Sequence, residues 1–311
     1  MIKYLFIVNP NARNKAIGKM WPKVEEEILV RGMRHSTIYT QEPRHAEQIA
    51  REEAANYDVV VATGGDGTVN EVANGLYGTG TTFGVLPLGN GNDFANGILL
   101  DDDYLRSLDV LNEGKTLDLT VGIATADDEK RYFVNIADTG VGATISLAAF
   151  TEAKWLRGFL KYYYLALKGV LKYRLVKTRM QIDDQTPFEC GLLIIAAGVG
   201  HRFGAGFTIL PDNYAFEQDF AICYANDIKK LKQIHLLNIL KAGKHIGKEN
   251  VHYIRGRKIS LELLTKALPV EVEGEIVNVA ANKVIIEVAP EKMKTIVPAE
   301  FIKLKESRQK K

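Results

Sequence analysis

The sequence predicts an α/β protein in two parts, an N-terminal domain on a parallel sheet and a C-terminal, mainly antiparallel β domain. Three observations predict it. Val59 to Ala62 is a short unbroken apolar run closed by Gly64, Gly65 and Gly67, which suits a strand covered on both faces. Apolar runs and helical patterns alternate from Met1 to Leu88, the signature of successive β-α units with right-handed crossovers. After Thr116 the pattern changes to short strands and hairpins. The expected limits are 1–123 for the first domain, with 290–305 returning to pack on it, and 124–289 for the second.

Element by element, Ile2 to Val8 reads as a buried strand, Asn9 to Asn14 as a loop, and the helix after it as burying Met20, Val24 and Ile28. A strand at Ser36 to Thr40 and a helix from about His45 to Ala55 precede the Val59 strand. Val69, Val72, Ala73 and Leu76 then recur at helical spacing, with Thr68 and Glu71 placed as a capping box. Phe83 to Leu86 is the next strand. In the second domain we expect strands at Leu117–Ala124, Arg131–Ala137, Thr178–Ile182, Gly191–Val199, Phe220–Tyr224, Lys258–Leu264, Val270–Val272 and Val284–Val288.

With 311 residues, 46% of them hydrophobic and 25% charged, the chain has the composition of a soluble globular protein with room for two cores. Cys190 and Cys223 both lie in apolar runs and are too few for a disulfide framework, so a reduced, cytoplasmic setting is expected. Met1 to Val8 is too short for a signal segment or a membrane span.

Chemistry concentrates in the glycine turn after Val59 to Ala62. A strand, a glycine turn and a helix start together aim unpaired amides and the positive end of a helix dipole at one spot, which attracts phosphate. Asp66 at the tip repels an anion unless a divalent cation lies between them, so it implies Mg2+ with a polyphosphate. The competing reading is a tight turn with a solvated Asp. Pro87 to Ala95 supplies a second glycine loop after a strand, with Asn92-Asp93 offering either ligands or an Asx turn.

Gly64-Gly65-Asp66-Gly67-Thr68, followed by Asn70-Glu71, resembles the nucleotide loop of the diacylglycerol kinase, sphingosine kinase and bacterial lipid kinase family. NAD kinases and phosphofructokinases share its first half. Asn9-Pro10 resembles the family's first nucleotide loop, with Ala12-Arg13 where Ser-Gly is usual. Thr40 with Arg44-His45-Ala46 resembles the segment near the base, and Gly89-Asn90-Gly91-Asn92-Asp93-Phe94-Ala95 the motif after the next strand, with Asn90 where Thr is usual. The resemblance implies ATP held by Asn9, Thr40, Gly64, Gly65, Gly67, Thr68, Asn70, Glu71 and Asn90, and an acceptor hydroxyl oriented by Asp93.

Two further segments resemble the family with departures. Pro211 to Phe220 stands where the family shows Pro and then Asp-Asp-Gly, but Glu217-Gln218 replaces Asp-Gly. If a metal clip exists there, Glu217 supplies the carboxylate and Tyr214 and Asp219 supply backbone oxygens, beside Asp66 on the nucleotide's metal. Val272-Glu273-Gly274-Glu275-Ile276 resembles Asp-Gly-Glu, and two carboxylates flanking a glycine turn can raise one pKa to suit a general base. On this reading Glu275 takes the proton and Glu273 tunes it; a solvated hairpin turn is the alternative.

Lys154, Arg157, Lys161, Lys168 and Lys172 recur at helical spacing opposite Leu156, Phe159, Leu160, Tyr163, Leu167, Val170 and Leu171, and a second lysine-rich stretch runs from Lys229 to Lys258. The alternatives are a solvated basic face and an anionic membrane surface. The expected protein is thus an ATP- and Mg2+-dependent lipid kinase on diacylglycerol or a related lipid, cytoplasmic and peripheral on the inner membrane face. It has no nucleic acid partner, and homodimerisation is left open. The rival readings are an NAD kinase-like enzyme and a lipid or nucleotide sensor without turnover.

Overall fold

In the computed structural model residues 2–151, 158–204, 206–240 and 242–310 are described. Two units result: Met1–Val121 with Tyr214–Gln218 and Pro290–Lys311, and Gly122–Asn213 with Asp219–Ala289. The chain is mixed α/β, with a mostly parallel sheet in the first unit and an antiparallel one in the second.

The first unit opens with β1 (Lys3–Val8), α1 (Ala12–Val30), β2 (Arg34–Tyr39), α2 (His45–Glu53), β3 (Val59–Gly64) and α3 (Asp66–Leu76). It continues with β4 (Thr82–Pro87), α4 (Asp93–Gly97), α5 (Tyr104–Glu113) and β5 (Thr116–Leu119). β3 is buried at every residue, and it pairs in parallel with β1 and β4, while β2 closes the other side of β1. Apolar residues without alternation therefore mark a central strand, because helices cover both faces. The α1 stripe is Ile17, Trp21, Val24 and Ile28, and Trp21 packs on Phe6 with ring centroids 5.7 Å apart. Met20 stands off that stripe and is only half-buried, which corrects the expected core face. Arg13, Asn14 and Lys15 have left-handed φ of 52°, 56° and 66°, so regular helix begins only after Lys15.

The second unit contains β6 (Gly122–Ala126), β7 (Glu129–Phe133), β8 (Ile136–Gly140), α6 (Val141–Thr151), α7 (Gly158–Lys172), β9 (Val176–Ile182) and β10 (Phe188–Gly198). There follow β11 (Phe220–Asn226), α8 (Lys230–Leu240), β12 (Val251–Gly256), β13 (Lys258–Leu263), β14 (Leu268–Val272), β15 (Glu275–Ala281) and β16 (Lys283–Val288). The sheet runs β15-β14-β8-β10-β9-β13-β16-β6-β7, and β11 joins β10 to β12. Phe133 is fully buried, and its ring sits where any side chain at Gly122 would be. Burying such a ring stabilises by about 1.5–3 kcal/mol.

The chain ends with β17 (Met293–Ile296) and α9 (Ala299–Gln309) in the first unit. β17 runs parallel to β4 and antiparallel to β5, completing the order β2-β1-β3-β4-β17-β5. The expected strand Leu117–Ala124 is therefore two strands in two sheets. Thr120 lies at the break: its amide donates to Ala215 O at 2.8 Å and its hydroxyl to Glu217 O. The expected strand Arg131–Ala137 is broken as well, because the amides of Val134 and Asn135 leave the ladder for the Glu273 carboxylate.

Candidate active site

In the first unit the two glycine loops meet at the carboxyl edge of the parallel sheet. The Gly64–Thr68 turn follows β3 and the Leu88–Asp93 loop follows β4, and Leu88 N donates to Gly64 O at 3.0 Å. A Cβ on Gly89 would lie 2.4 Å from Gly65 Cα, so the backbones touch as only glycine allows. Asp66 stitches the loops together: its Oδ1 accepts the Asp93 amide at 2.7 Å, with further amide bonds from Asn92 and Phe94. A Cβ on Gly91 would stand 2.7 Å from Asp66 Oδ2. Burial pushes the Asp66 carboxyl above its ordinary value, against the opposing pull of these amides.

The other expected nucleotide residues fall into two groups. Asn9, Thr40, Gly64, Gly65, Gly67, Thr68 and the exposed Asn90 all lie at the carboxyl ends of β1 to β4 or in the turns after them. Asn9 Nδ2 donates to Thr68 Oγ1 at 3.2 Å, which joins the first loop to the start of α3. Asn70 is fully buried, and its Oδ1 accepts from Asn74. Glu71 accepts the amides of Arg44 at 2.9 Å and Ala46 at 3.1 Å, so it caps α2. The expected capping box is thereby corrected: α3 starts at Asp66 without a side-chain cap, and Thr68 lies in its first turn. Asn92 holds the second loop in the Asx manner, with Oδ1 on Gly89 N at 3.0 Å and Nδ2 on Asp102 at 2.8 Å.

A carboxylate beside a glycine turn and the N-terminus of an 11-residue helix fits Mg2+ carried by a polyphosphate, since such Mg2+ takes one or two carboxylates along with phosphate oxygens and water. The second clip fits less well. Glu217 Oε1 is 3.4 Å from Arg308 Nη1, Tyr214 O accepts the Glu217 amide, and the Glu217 carbonyl takes the Thr120 hydroxyl. In the second unit Asp219 O and its carboxylate both accept from Arg255. Among the described residues no group of three His, Cys, Asp or Glu side chains could hold a metal.

In the second unit Glu273 and Gly274 form the turn between β14 and β15, with φ of 53° and 87°. Glu273 Oε1 accepts the amides of Val134 and Asn135, each at 2.6 Å. Glu275, whose side chain is 41% exposed, lies 3.9 Å from the buried Arg131 guanidinium. Each carboxylate thus has its own stabilising partner. The raised carboxyl on this strand is one that the motif did not single out, Glu271.

Glu271 lies directly across the ladder from Asp138 on β8, and both are fully buried. Burial pushes Glu271 up to about 7, against hydrogen bonds from Ser146 and the Gly274 amide. Burial and then the Glu271 charge push Asp138 well above its ordinary value, despite a bond from the Ala143 amide. Asp138 Oδ2 and Glu271 Oε2 have no hydrogen-bond partner among the described residues. Burial thus holds both carboxyls toward their protonated forms.

Beside this pair an apolar cavity opens within the second unit, between α6, α7, α8 and the strands β10 and β11. Its wall includes Ile145, Val170, Leu193, Ile194, Phe207 and Leu237, and its polar members are Ser146, Gln233 and His245. Cys223 also lines it, and burial holds that thiol up at about 12. Both cysteines are buried and unpaired.

Of the expected basic helix, Lys154, Leu156 and Arg157 lie outside the described residues. α7 buries Leu165, Ala166 and Val170, whereas Leu171, expected on the apolar side, is 52% exposed. Lys230 is not a free surface charge, since its ammonium holds the Val170 carbonyl at 2.9 Å and that of Tyr173 at the end of α7. No helix among the described residues is long and apolar enough to cross a membrane.

A glycine turn between a strand and a helix of a parallel sheet, followed by an antiparallel β unit, is the arrangement of a class of two-domain kinases, and the sequence matches place the chain within it. Residues 3–124 match the diacylglycerol kinase catalytic domain, and residues 135–297 match the YegS C-terminal NAD kinase beta sandwich-like domain. The chain belongs to this diacylglycerol kinase family. It is 26% identical to a diacylglycerol kinase of Staphylococcus saprophyticus over 272 residues, 86% of this chain and 87% of that one. A diacylglycerol kinase structure from Bacillus anthracis shares its fold at 17% identity, with TM-score 0.70 over 96% of this chain and 98% of the other. An NAD kinase from Archaeoglobus fulgidus, solved in complex with ATP, shares it more loosely, at 13% identity and TM-score 0.54 over 97% and 96% of the two chains.

The buried carboxyl pair makes a prediction about stability. Glu271 titrates at 4.5 when unfolded and about 7 when folded, so the stability its proton provides is complete below pH 4.5 and is lost as pH rises through 7. That loss amounts to about 3 kcal/mol. Urea unfolding midpoints between pH 4.5 and 8 should fall more steeply in wild type than in Glu271→Gln. Parallel profiles would mean that burial does not raise the Glu271 carboxyl.

Proposed function

We propose that this protein is an ATP- and Mg2+-dependent lipid kinase that transfers the gamma phosphate to the hydroxyl of diacylglycerol or a related lipid. The observation that carries the reading is the pair of glycine loops joined by Asp66 at the carboxyl edge of the sheet. The amides at the start of α3 receive the phosphates, and Asp66 holds the metal that neutralises their oxygens. Asp93 orients the acceptor hydroxyl.

On the second unit, Glu275 is the carboxylate assigned to take the hydroxyl proton, because Glu273 Oε1 already accepts two amide hydrogens. The apolar cavity suits hydrocarbon, in line with the diacylglycerol kinase relatives. An NAD kinase-like reading is motivated by the Archaeoglobus structure and separates cleanly in one assay: radiolabelled ATP incubated with a cell lipid extract and with NAD. Labelled lipid supports the first reading, and labelled dinucleotide alone overturns it.

Two variants test the roles. Asp66→Asn should abolish turnover in a folded protein; full activity there would sink the assignment. Glu275→Gln should lower kcat by about 100-fold to 10,000-fold with KM for ATP little changed. A dead Glu273→Gln beside an active Glu275→Gln would move the base to the other carboxylate.

The proposed partner is an anionic membrane surface on the cytoplasmic side, approached by the basic residues Lys168 and Lys172. Binding to phosphatidylserine vesicles should then weaken steeply with salt, as the screening length shortens to ~3 Å at 1 M. Salt-independent vesicle binding would leave only a solvated basic face.

A further inference from the structure

Glu217, the carboxylate expected to hold a metal in the 211–220 segment, lies in the first unit against the last turn of α9. Its Oε1 is 3.4 Å from Arg308 Nη1. Arg308 Cζ in turn stands 4.6 Å from the centre of the Tyr214 ring. That ring stacks on Phe216 at 5.4 Å, and Phe216 packs on the fully buried Phe301 of α9 at 5.1 Å. The guanidinium is thus fixed between an aromatic face and a carboxylate, the two partners that its planar, delocalised charge suits. The backbone of the segment is tied as well: the Glu217 amide donates to Tyr214 O at 3.0 Å, and Glu217 O accepts the Thr120 hydroxyl.

The second unit shows the same pattern. Asp219 O accepts from Arg255 Nη2 at 3.0 Å, the Asp219 carboxylate accepts from Arg255 Nε at 3.1 Å, and Arg255 Nη1 donates to Asn213 Oδ1 at 3.0 Å. The Glu217 carboxylate and the Asp219 carbonyl, both expected to coordinate a metal, therefore each face a cation that the chain itself provides. Mg2+ requires near-octahedral oxygens at about 2.1 Å. On Glu217 it would also bring a double charge against the guanidinium that holds the same carboxylate, and like charges at that range repel.

We propose that Arg308 holds the place of a divalent cation at Glu217: a guanidinium fastens the 214–218 segment to α9, and the segment binds no Mg2+. This claim stands apart from the kinase reading, which places its Mg2+ on a different carboxylate, Asp66.

The test is thermal unfolding of the full chain without nucleotide, in EDTA and in millimolar Mg2+, for wild type, Glu217→Gln, Arg308→Gln and the double variant. Mg2+ should shift the melting temperatures of wild type and Glu217→Gln equally, because neither presents a carboxylate there that lacks a cation. Arg308→Gln releases the Glu217 carboxylate, so Mg2+ should raise its melting temperature by about 2–4 °C more than that of the double variant. A larger Mg2+ response in wild type than in Glu217→Gln would put a divalent ion on Glu217 and overturn the inference. So would equal responses in Arg308→Gln and the double variant, since the guanidinium would then not be what keeps the ion away. Should a glutamine variant fail to fold, Glu217→Asp keeps the charge but shortens its reach toward Arg308 by one methylene. Its Mg2+ response should exceed that of wild type, and an equal response overturns the inference.

Discussion

The first unit depends on one contact, the Asp66 carboxylate receiving the backbone amides of residues 92 to 94 across the touching backbones of Gly65 and Gly89. Without it the loops after β3 and β4 would be two independent turns at the sheet edge. With it the two loops and the start of α3 meet at one place on the sheet edge. The contact also explains why so little side-chain volume is tolerated there, since Gly64, Gly89 and Gly91 all abut atoms closer than a Cβ allows.

The second unit uses buried charge differently. Glu273 breaks the strand that would have joined β7 to β8, and in doing so fixes its own carboxylate on the displaced amides. Glu271, two residues earlier, lies against Asp138 at the foot of α6, next to the cavity wall. A run of three alternate glutamates thus yields three environments: one buried across from Asp138, one bound by two backbone amides, and one near a guanidinium.

The parallel sheet was legible because burial on both faces removes alternation, so Val59 to Ala62 announces a central strand by its own composition. The glycine loops were legible because phosphate chemistry needs amides at a turn. What the sequence hid depended on distant partners. Glu71 looked like the far half of a capping box until Arg44 and Ala46 supplied the amides it binds. Thr120 continues an apolar strand in sequence, and only residues 215 and 217 reveal it as a break between sheets. Glu271 lay within the expected strand Val270–Val272 with no role assigned, and β14 is buried on both faces, so alternation carried no information there. α6 and α8 lack a clear one-sided stripe, which left them unread.

The most direct test of the central claim is hydrogen exchange of the backbone amides with and without MgATP. If the two loops form one phosphate surface, MgATP should slow exchange together in residues 64–68 and 89–94, and Asp66→Asn should remove the protection in both. Protection confined to one loop, or the same protection in Asp66→Asn, would contradict the account.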